Sequence, residues 1–160
     1  MELAILNPMA SPTILVADDD QPLVQLLKEN LEMEGYQVIT GTDGEMAVTL
    51  ATTRQPNLMI LDINMPFTNG FDVLTHLRKM PETQSIPVIF ITGIQSKTLY
   101  PIIDRHERVA YIKKPFDLDH LNSLVQEFLQ KYPVQKTSTP ALPATPSEAP
   151  ISFPPIEKFR

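Results

Sequence analysis

Five short runs rich in Ile, Val and Leu recur along the chain without polar alternation: Thr13–Ala17, Gln37–Thr40, Leu58–Ile63, Val88–Thr92 and Val109–Lys113. Runs of this kind predict strands buried on both faces, as in a parallel sheet. Between them the apolar positions recur at helical spacing. Pro22–Glu34 carries Leu23, Leu27 and Leu31 on one face, Glu45–Arg54 carries Ala47, Leu50 and Ala51, and Phe71–Met80 carries Phe71, Leu74 and Leu77. Pro22 suits a first helical turn, where its missing N–H costs nothing. A fourth helix is expected within Ser96–His106, beginning near Tyr100 or bent there by Pro101. The last, Leu118–Lys131, follows Asp117 as N-cap and carries Leu121, Leu124, Val125, Phe128 and Leu129. Strict alternation of five strands with five helices predicts an α/β fold, a doubly wound five-stranded parallel sheet.

Composition sets the limits of that core. Seven of the sixteen prolines lie in 133–160, among Thr, Ser and Ala, so this stretch reads as a disordered tail. Residues 1–12 read as a loose leader. The foldable domain is therefore 13–132, long enough for a real core. A net charge of −6 argues against a nucleic-acid reader or an anionic-membrane binder. The absence of cysteine excludes a disulfide scaffold, a thiolate zinc site and a cysteine nucleophile. Asn7 and Pro8 interrupt the apolar N-terminus, no run has the length of a membrane span, and the default location is the cytoplasm.

In a doubly wound sheet the ligand site lies outside the carboxyl ends of the strands. Strand one runs into Asp18, Asp19 and Asp20, strand three holds Asp62 near its end, strand four ends at Thr92, and strand five runs into Lys113 and Lys114. Carboxylates gathered there repel one another unless a cation joins them or one stays protonated. Mg²⁺, a hard cation that takes carboxylate oxygens and accepts a phosphoryl oxygen beside them, is the natural solution, with Mn²⁺ as substitute. A carboxylate can accept a phosphoryl group as an acyl phosphate, chemistry that needs positioning and charge neutralisation above all. Asp62 is the candidate acceptor, with Lys114 and the Thr92 hydroxyl as candidate phosphoryl contacts.

Four segments, Ile14-Leu-Val-Ala-Asp-Asp-Asp20, Leu61-Asp-Ile-Asn-Met-Pro66, Ile91-Thr-Gly93 and Lys113-Lys-Pro-Phe116, together resemble the receiver domain of bacterial two-component response regulators. The order of the four and their spacing, thirty residues from Asp62 to Thr92 and twenty-two more to Lys114, agree with that family. The resemblance implies a (βα)5 flavodoxin-like sheet of order 2-1-3-4-5 and transfer of a phosphoryl group to Asp62 from a sensor histidine kinase or phosphotransfer protein. It further implies Asp19 as direct metal ligand, Asp18 acting chiefly through water, and Asn64 offering its backbone carbonyl to the metal. Thr92 is implied as switch hydroxyl, Gly93 as the small residue leaving room for the phosphoryl group, Lys114 as phosphoryl-binding lysine, Tyr111 as aromatic switch, and Lys114–Pro115 as a cis turn. Output is expected on the face of the fourth helix, strand five and the last helix, around Tyr100, Arg105, Arg108 and Asp119, for a downstream protein or a second copy of this chain. Two departures fall in that region: Arg105-His-Glu-Arg-Val-Ala110 replaces the usual small-residue stretch, and Pro101 interrupts the fourth helix.

Each residue also has a plainer reading. An unselected Asp is most often a cap or a solvated group, and Asp20, just before a helix, keeps that reading. Thr92 alone is an ordinary strand residue, Lys113 a solvated one, Tyr111 a packed aromatic; Met59 and Met65 are packing, and His76, His106 and His120 are isolated. Convergence of the acids, the hydroxyl and the ammonium at the strand ends favours the chemical reading. With no further domain after Tyr132, the expectation is a stand-alone phosphoacceptor signalling protein, not an enzyme beyond its own phosphorylation and slow dephosphorylation. The alternatives are a Mg²⁺-dependent phosphohydrolase with an aspartyl-phosphate intermediate, disfavoured because Asn64 stands where such enzymes carry a second Asp, and a phosphorylation-independent interaction module, disfavoured by the intact site set.

Overall fold

The computed structural model describes residues 11–93, 97, 101, 103 and 105–133. Five strands, β1 (Thr13–Ala17), β2 (Gln37–Gly41), β3 (Leu58–Asp62), β4 (Val88–Thr92) and β5 (Val109–Lys113), form one sheet of order β2-β1-β3-β4-β5. All four pairings are parallel. The helices are α1 (Gln21–Met33), α2 (Gly44–Arg54), α3 (Gly70–Arg78) and α4 (Leu118–Lys131). Of the helix expected between β4 and β5, Lys97, Pro101 and Ile103 are helical, and Tyr100 lies outside the described residues. So do 1–10 and 134–160, and with them nearly all of the expected leader and tail.

The sheet separates two apolar layers, because side chains of a strand alternate between its faces. Leu15, Met59, Leu61, Val88 and Phe90 pack with α2 and α3, whereas Ile14, Val16, Ile60, Ile89, Ile91 and Ile112 pack with α1 and α4. β1, β3 and β4 are interior strands, which is why their apolar runs are unbroken; β2 and β5 are edges and only partly covered. Two helical faces differ from expectation at one residue each. Val24 is buried with Leu27 and Leu31 while Leu23 packs against them only partly buried, and Val73 is buried while Phe71 is only partly so. Both shifts keep the 3.6-residue stripe and reflect a wide contact face rather than a narrow seam.

Side-chain caps set where the helices begin. Asp20 accepts from Leu23 N, Asp43 from Met46 N, Asn69 from Phe71 N and Asp72 N, and Asp117 from His120 N. Each meets a donor that the first helical turn leaves without a partner. Among the described residues no helix is long and apolar enough to cross a membrane.

Candidate functional site

Parallel register brings the carboxyl ends of the interior strands level: Ala17 pairs with Leu61, Asp62 with Ile91, and Thr92 with Lys113. The residue after β1, Asp18, is therefore beside the last residue of β3, Asp62. Asp18 and Asp62 are buried and Asp19 is exposed, and one carboxylate oxygen of each lies within 4.8 Å of the others. Lys114 reaches into this cluster from the turn after β5. Its Nζ is 3.2 Å from Asp18 Oδ2 and 3.7 Å from Asp62 Oδ2. One ammonium against three carboxylates leaves the cluster short of positive charge.

That imbalance appears in the acidity of Asp62. Burial, and then the Asp18 carboxylate, pushes the Asp62 carboxyl up to about 6; Lys114 and the backbone N–H groups of Asn64 and Ile63 act in the opposite direction. Asn64 N donates to Asp62 Oδ1 at 3.4 Å, so the residue two places on helps orient the candidate acceptor. Oxygen-only donors, hard and negatively charged, with one exposed member open to water, fit Mg²⁺ or Mn²⁺. Asp18, Asp19 and Asp62 are the side chains that would hold it.

The remaining expected residues surround this centre. Thr92 is fully buried at the end of β4, and its carbonyl accepts from Lys114 N at 2.8 Å, tying the lysine turn to the neighbouring strand. Gly93 is exposed, and a Cβ there would meet nothing within 4 Å, so the space beside it is open. Tyr111 is half-buried against the α2/α3 layer. The Lys114–Pro115 peptide is cis. Asp20 points to its own helix as a cap and does not join the acid cluster.

Sequence reasoning missed the residues that hold the loop after Asp62. Gly70 N donates to Ile63 O at 2.8 Å, and a Cβ on Gly70 would lie 2.7 Å from the Asp62 carbonyl oxygen. A Cβ on Gly44 would lie 2.6 Å from the carbonyl oxygen of buried Thr68. Both glycines let helices close against the acceptor loop, where any side chain would collide with backbone. The Asn69-Gly70 pair was the available signal, a turn dipeptide just before a helical stripe.

The response regulator receiver domain, as a family profile, matches residues 14–126. This chain belongs to that family. The receiver is 37% identical over 125 residues to the DNA-binding dual master transcriptional regulator RpaA of Synechocystis sp., covering 75% of this chain and 50% of that protein. It is 38% identical over 118 residues to the transcriptional regulatory protein CpxR of Escherichia coli, covering 74% and 49%. The receiver thus spans about half the length of the curated relatives it matches. Among solved structures it is similar to the chemotaxis response regulator CheY4 of Vibrio cholerae, with a TM-score of 0.70, 25% identity and coverage of 75% of this chain and all of that one. The signal receiver domain of a signal transduction histidine kinase from Syntrophus aciditrophicus gives a TM-score of 0.72 at 27% identity, covering 82% and all of that chain.

Proposed function

We propose that this receiver takes a phosphoryl group from a phosphohistidine, on a sensor kinase or a phosphotransfer protein, onto Asp62. The observation that carries this is the buried Asp62 carboxylate set 3.7 Å from the Lys114 ammonium, with Asp18 and Asp19 close by. An Asp62 oxygen forms the new P–O bond as the donor's P–N bond breaks, and the imidazole leaves with a proton taken up on its nitrogen. Asp62 must be ionised to attack, and with its carboxyl near 6 most of it is ionised at pH 7. Mg²⁺, or Mn²⁺, when bound by Asp18, Asp19, Asp62 and the Asn64 carbonyl, supplies the charge neutralisation that the incoming anion needs. Lys114 holds a phosphoryl oxygen from the other side by a charge-assisted hydrogen bond.

The reading extends to output. Thr92 turns its hydroxyl to the phosphoryl group, and Tyr111 moves into the space beside β5, changing the face formed by β5, α4 and the segment between β4 and β5. A downstream protein, or a second copy of the chain, then binds that face with altered affinity, because the phosphoryl contacts differ between two surface states. Beryllofluoride with Mg²⁺ tests both parts. Amide chemical shifts are expected to move around Asp62 and also from Arg105 to Tyr111, with the second group largely lost in Thr92→Ala. Shifts confined to the Asp62 pocket in the wild-type chain would remove the switch, and no Mg²⁺-dependent shift at Asp62 would remove the phosphoacceptor reading. Steady-state release of phosphate from small phosphate esters is expected to be absent.

Residues 13–132 form the autonomous unit of this proposal. Deleting 133–160 should leave the Tm within a few degrees and Asp62 phosphorylation intact, because this Pro-rich stretch has too few contiguous apolar residues to offset its ordering entropy. A Tm lowered by many degrees on deletion would show that the tail packs on the domain.

A further inference from the structure

At the edge of the sheet where the strands begin, opposite the acid cluster, the charge reverses. Arg78 sits in the last turn of α3, Arg105 and Arg108 precede β5, and Lys131 ends α4. β4 and β5 are five residues long, so about 13 Å of strand separates this edge from Thr92 and Lys113. Arg108 and Lys131 share one aromatic ring: the Arg108 guanidinium carbon is 4.9 Å, and Lys131 Nζ 5.4 Å, from the centroid of Tyr132.

Among the described residues none of these four cations has a carboxylate within 4 Å. Glu107 lies between two of them in sequence, is exposed, and makes no ion pair among the described residues. Arg78 donates from Nη1 to the Ile86 carbonyl at 2.8 Å, while its Nη2 is buried with no acceptor among the described residues. Burial, and then the Arg108 cation, lowers the Arg78 guanidinium to about 10, and burial followed by Arg78 and Arg105 lowers His106. The negative half-dipoles at the ends of α3 and α4 answer in part for Arg78 and Lys131, but each is only about half a charge. They leave Arg105 and Arg108 unexplained.

Arg108 is itself held at φ 67. That left-handed conformation suits glycine and is strained for a long side chain, so a residue kept there points to use. Its carbonyl accepts from Val88 N at 2.8 Å, fixing the turn to the start of β4. In a chain with a net charge of −6, this edge therefore gathers positive charge that no carboxylate among the described residues pairs, around a half-exposed tyrosine.

We propose that this edge, Arg108 and Lys131 at the Tyr132 ring with Arg78 beside Arg108 and Arg105 three residues before it, is a docking surface for an Asp/Glu-rich segment of a partner protein, already competent before Asp62 is phosphorylated. Arginine and tyrosine together are the side chains that most often carry interface energy, the ring giving packing area and the guanidinium bidentate pairing with carboxylates. A nucleic acid fits less well, because four cations on an acidic protein fall short of the six to ten phosphate contacts of an ordinary DNA footprint. A lone oxyanion would leave the tyrosine face unused.

The test is titration of the full chain, unphosphorylated, at low salt with three probes: a Glu-rich decapeptide, inorganic phosphate and duplex DNA. The peptide is expected to bind, to shift the Tyr132 ring and Arg78 side-chain resonances, and to lose at least about tenfold in affinity in the Arg105→Ala/Arg108→Ala variant. Lys28→Ala, which removes a cation paired with Glu32 on α1, should leave peptide binding unchanged. No peptide binding, an equal loss in Lys28→Ala, or shifts away from Tyr132 would overturn the proposal. DNA binding as tight as the peptide's would make the edge a nucleic-acid surface instead, and phosphate saturating the same shifts would make it an oxyanion site. If the double variant fails to fold, Lys131→Ala with Tyr132→Leu carries the same expectation.

Discussion

In metal-free buffer at pH 7, Asp62→Asn should be more stable than the wild-type chain by about 1–3 kcal/mol. The Asp62 carboxyl lies near 6 in the fold against 3.8 as a free group, so the folded chain holds a proton that the unfolded chain gives up. Between those values the unfolded state binds fewer protons than the native one, and stability falls as pH rises. The penalty grows from about pH 4 to about pH 6 and is then constant. Asn keeps the shape and loses the charge. Its advantage should therefore be near zero at pH 4 and full above pH 6, with a Tm higher by roughly 3–10 °C. Saturating Mg²⁺ should reverse the order, because a cation that binds only the native state stabilises it in proportion to its affinity, and the variant has lost a ligand. Thermal unfolding from pH 4 to 8, with and without Mg²⁺, reads all of this. A wild-type chain that is the more stable one in chelator at pH 7 would mean that Lys114 fully compensates the acid cluster.

Gly70→Ala should cost about 3 kcal/mol and slow phosphoryl uptake at Asp62. The added methyl would sit 2.7 Å from the Asp62 carbonyl oxygen and 3.0 Å from Ile63 Cα and from a ring carbon of Phe90. Two of those three obstacles are backbone, which cannot swing aside as a flexible side chain would. Phe90 is itself wedged, fully buried and edge-on to Phe71 at 5.2 Å. Relief must come from α3 moving away or from the acceptor loop shifting, and either displaces Asp62. Gly93→Ala is the control: it meets nothing within 4 Å and should leave stability close to wild type. Urea unfolding gives both numbers, and a Gly70→Ala midpoint equal to that of wild type would show that the loop has slack not present in the structure.

Much of this molecule is legible without coordinates, for identifiable reasons. β1, β3 and β4 declare themselves because interior strands of a parallel sheet must be apolar on both faces, and the acids following β1 and in β3 stand out against those runs. Asp20 and Asp117 announce their helices because the first-turn donors need an acceptor. Helix faces are less sharp: Leu23 and Val24 are equally apolar, and only the packing angle of α1 decides that Val24 enters the core. The glycine contacts behind Asp62 were not legible, since a close approach between α3 and the acceptor loop is a property of the assembled layers. The basic edge was hidden for a similar reason. Arg78, Arg108 and Lys131 are far apart in sequence, and each alone reads as a solvated helix end or loop cation. The family resemblance covers the acid pocket and puts Arg105 and Arg108 in the expected output region, but it does not bring Arg78, Lys131 and Tyr132 to them.

The central claim is that Asp62 is the phosphoryl acceptor and that a divalent cation is needed. Incubating the full chain with a phosphohistidine donor and Mg²⁺, followed by peptide mapping of the acid-stable, base-labile product, tests it most directly. One phosphoryl group per chain is expected, on Asp62, absent in Asp62→Asn and absent in excess chelator. Label that persists in that variant or in chelator, or that maps to another residue, would contradict it.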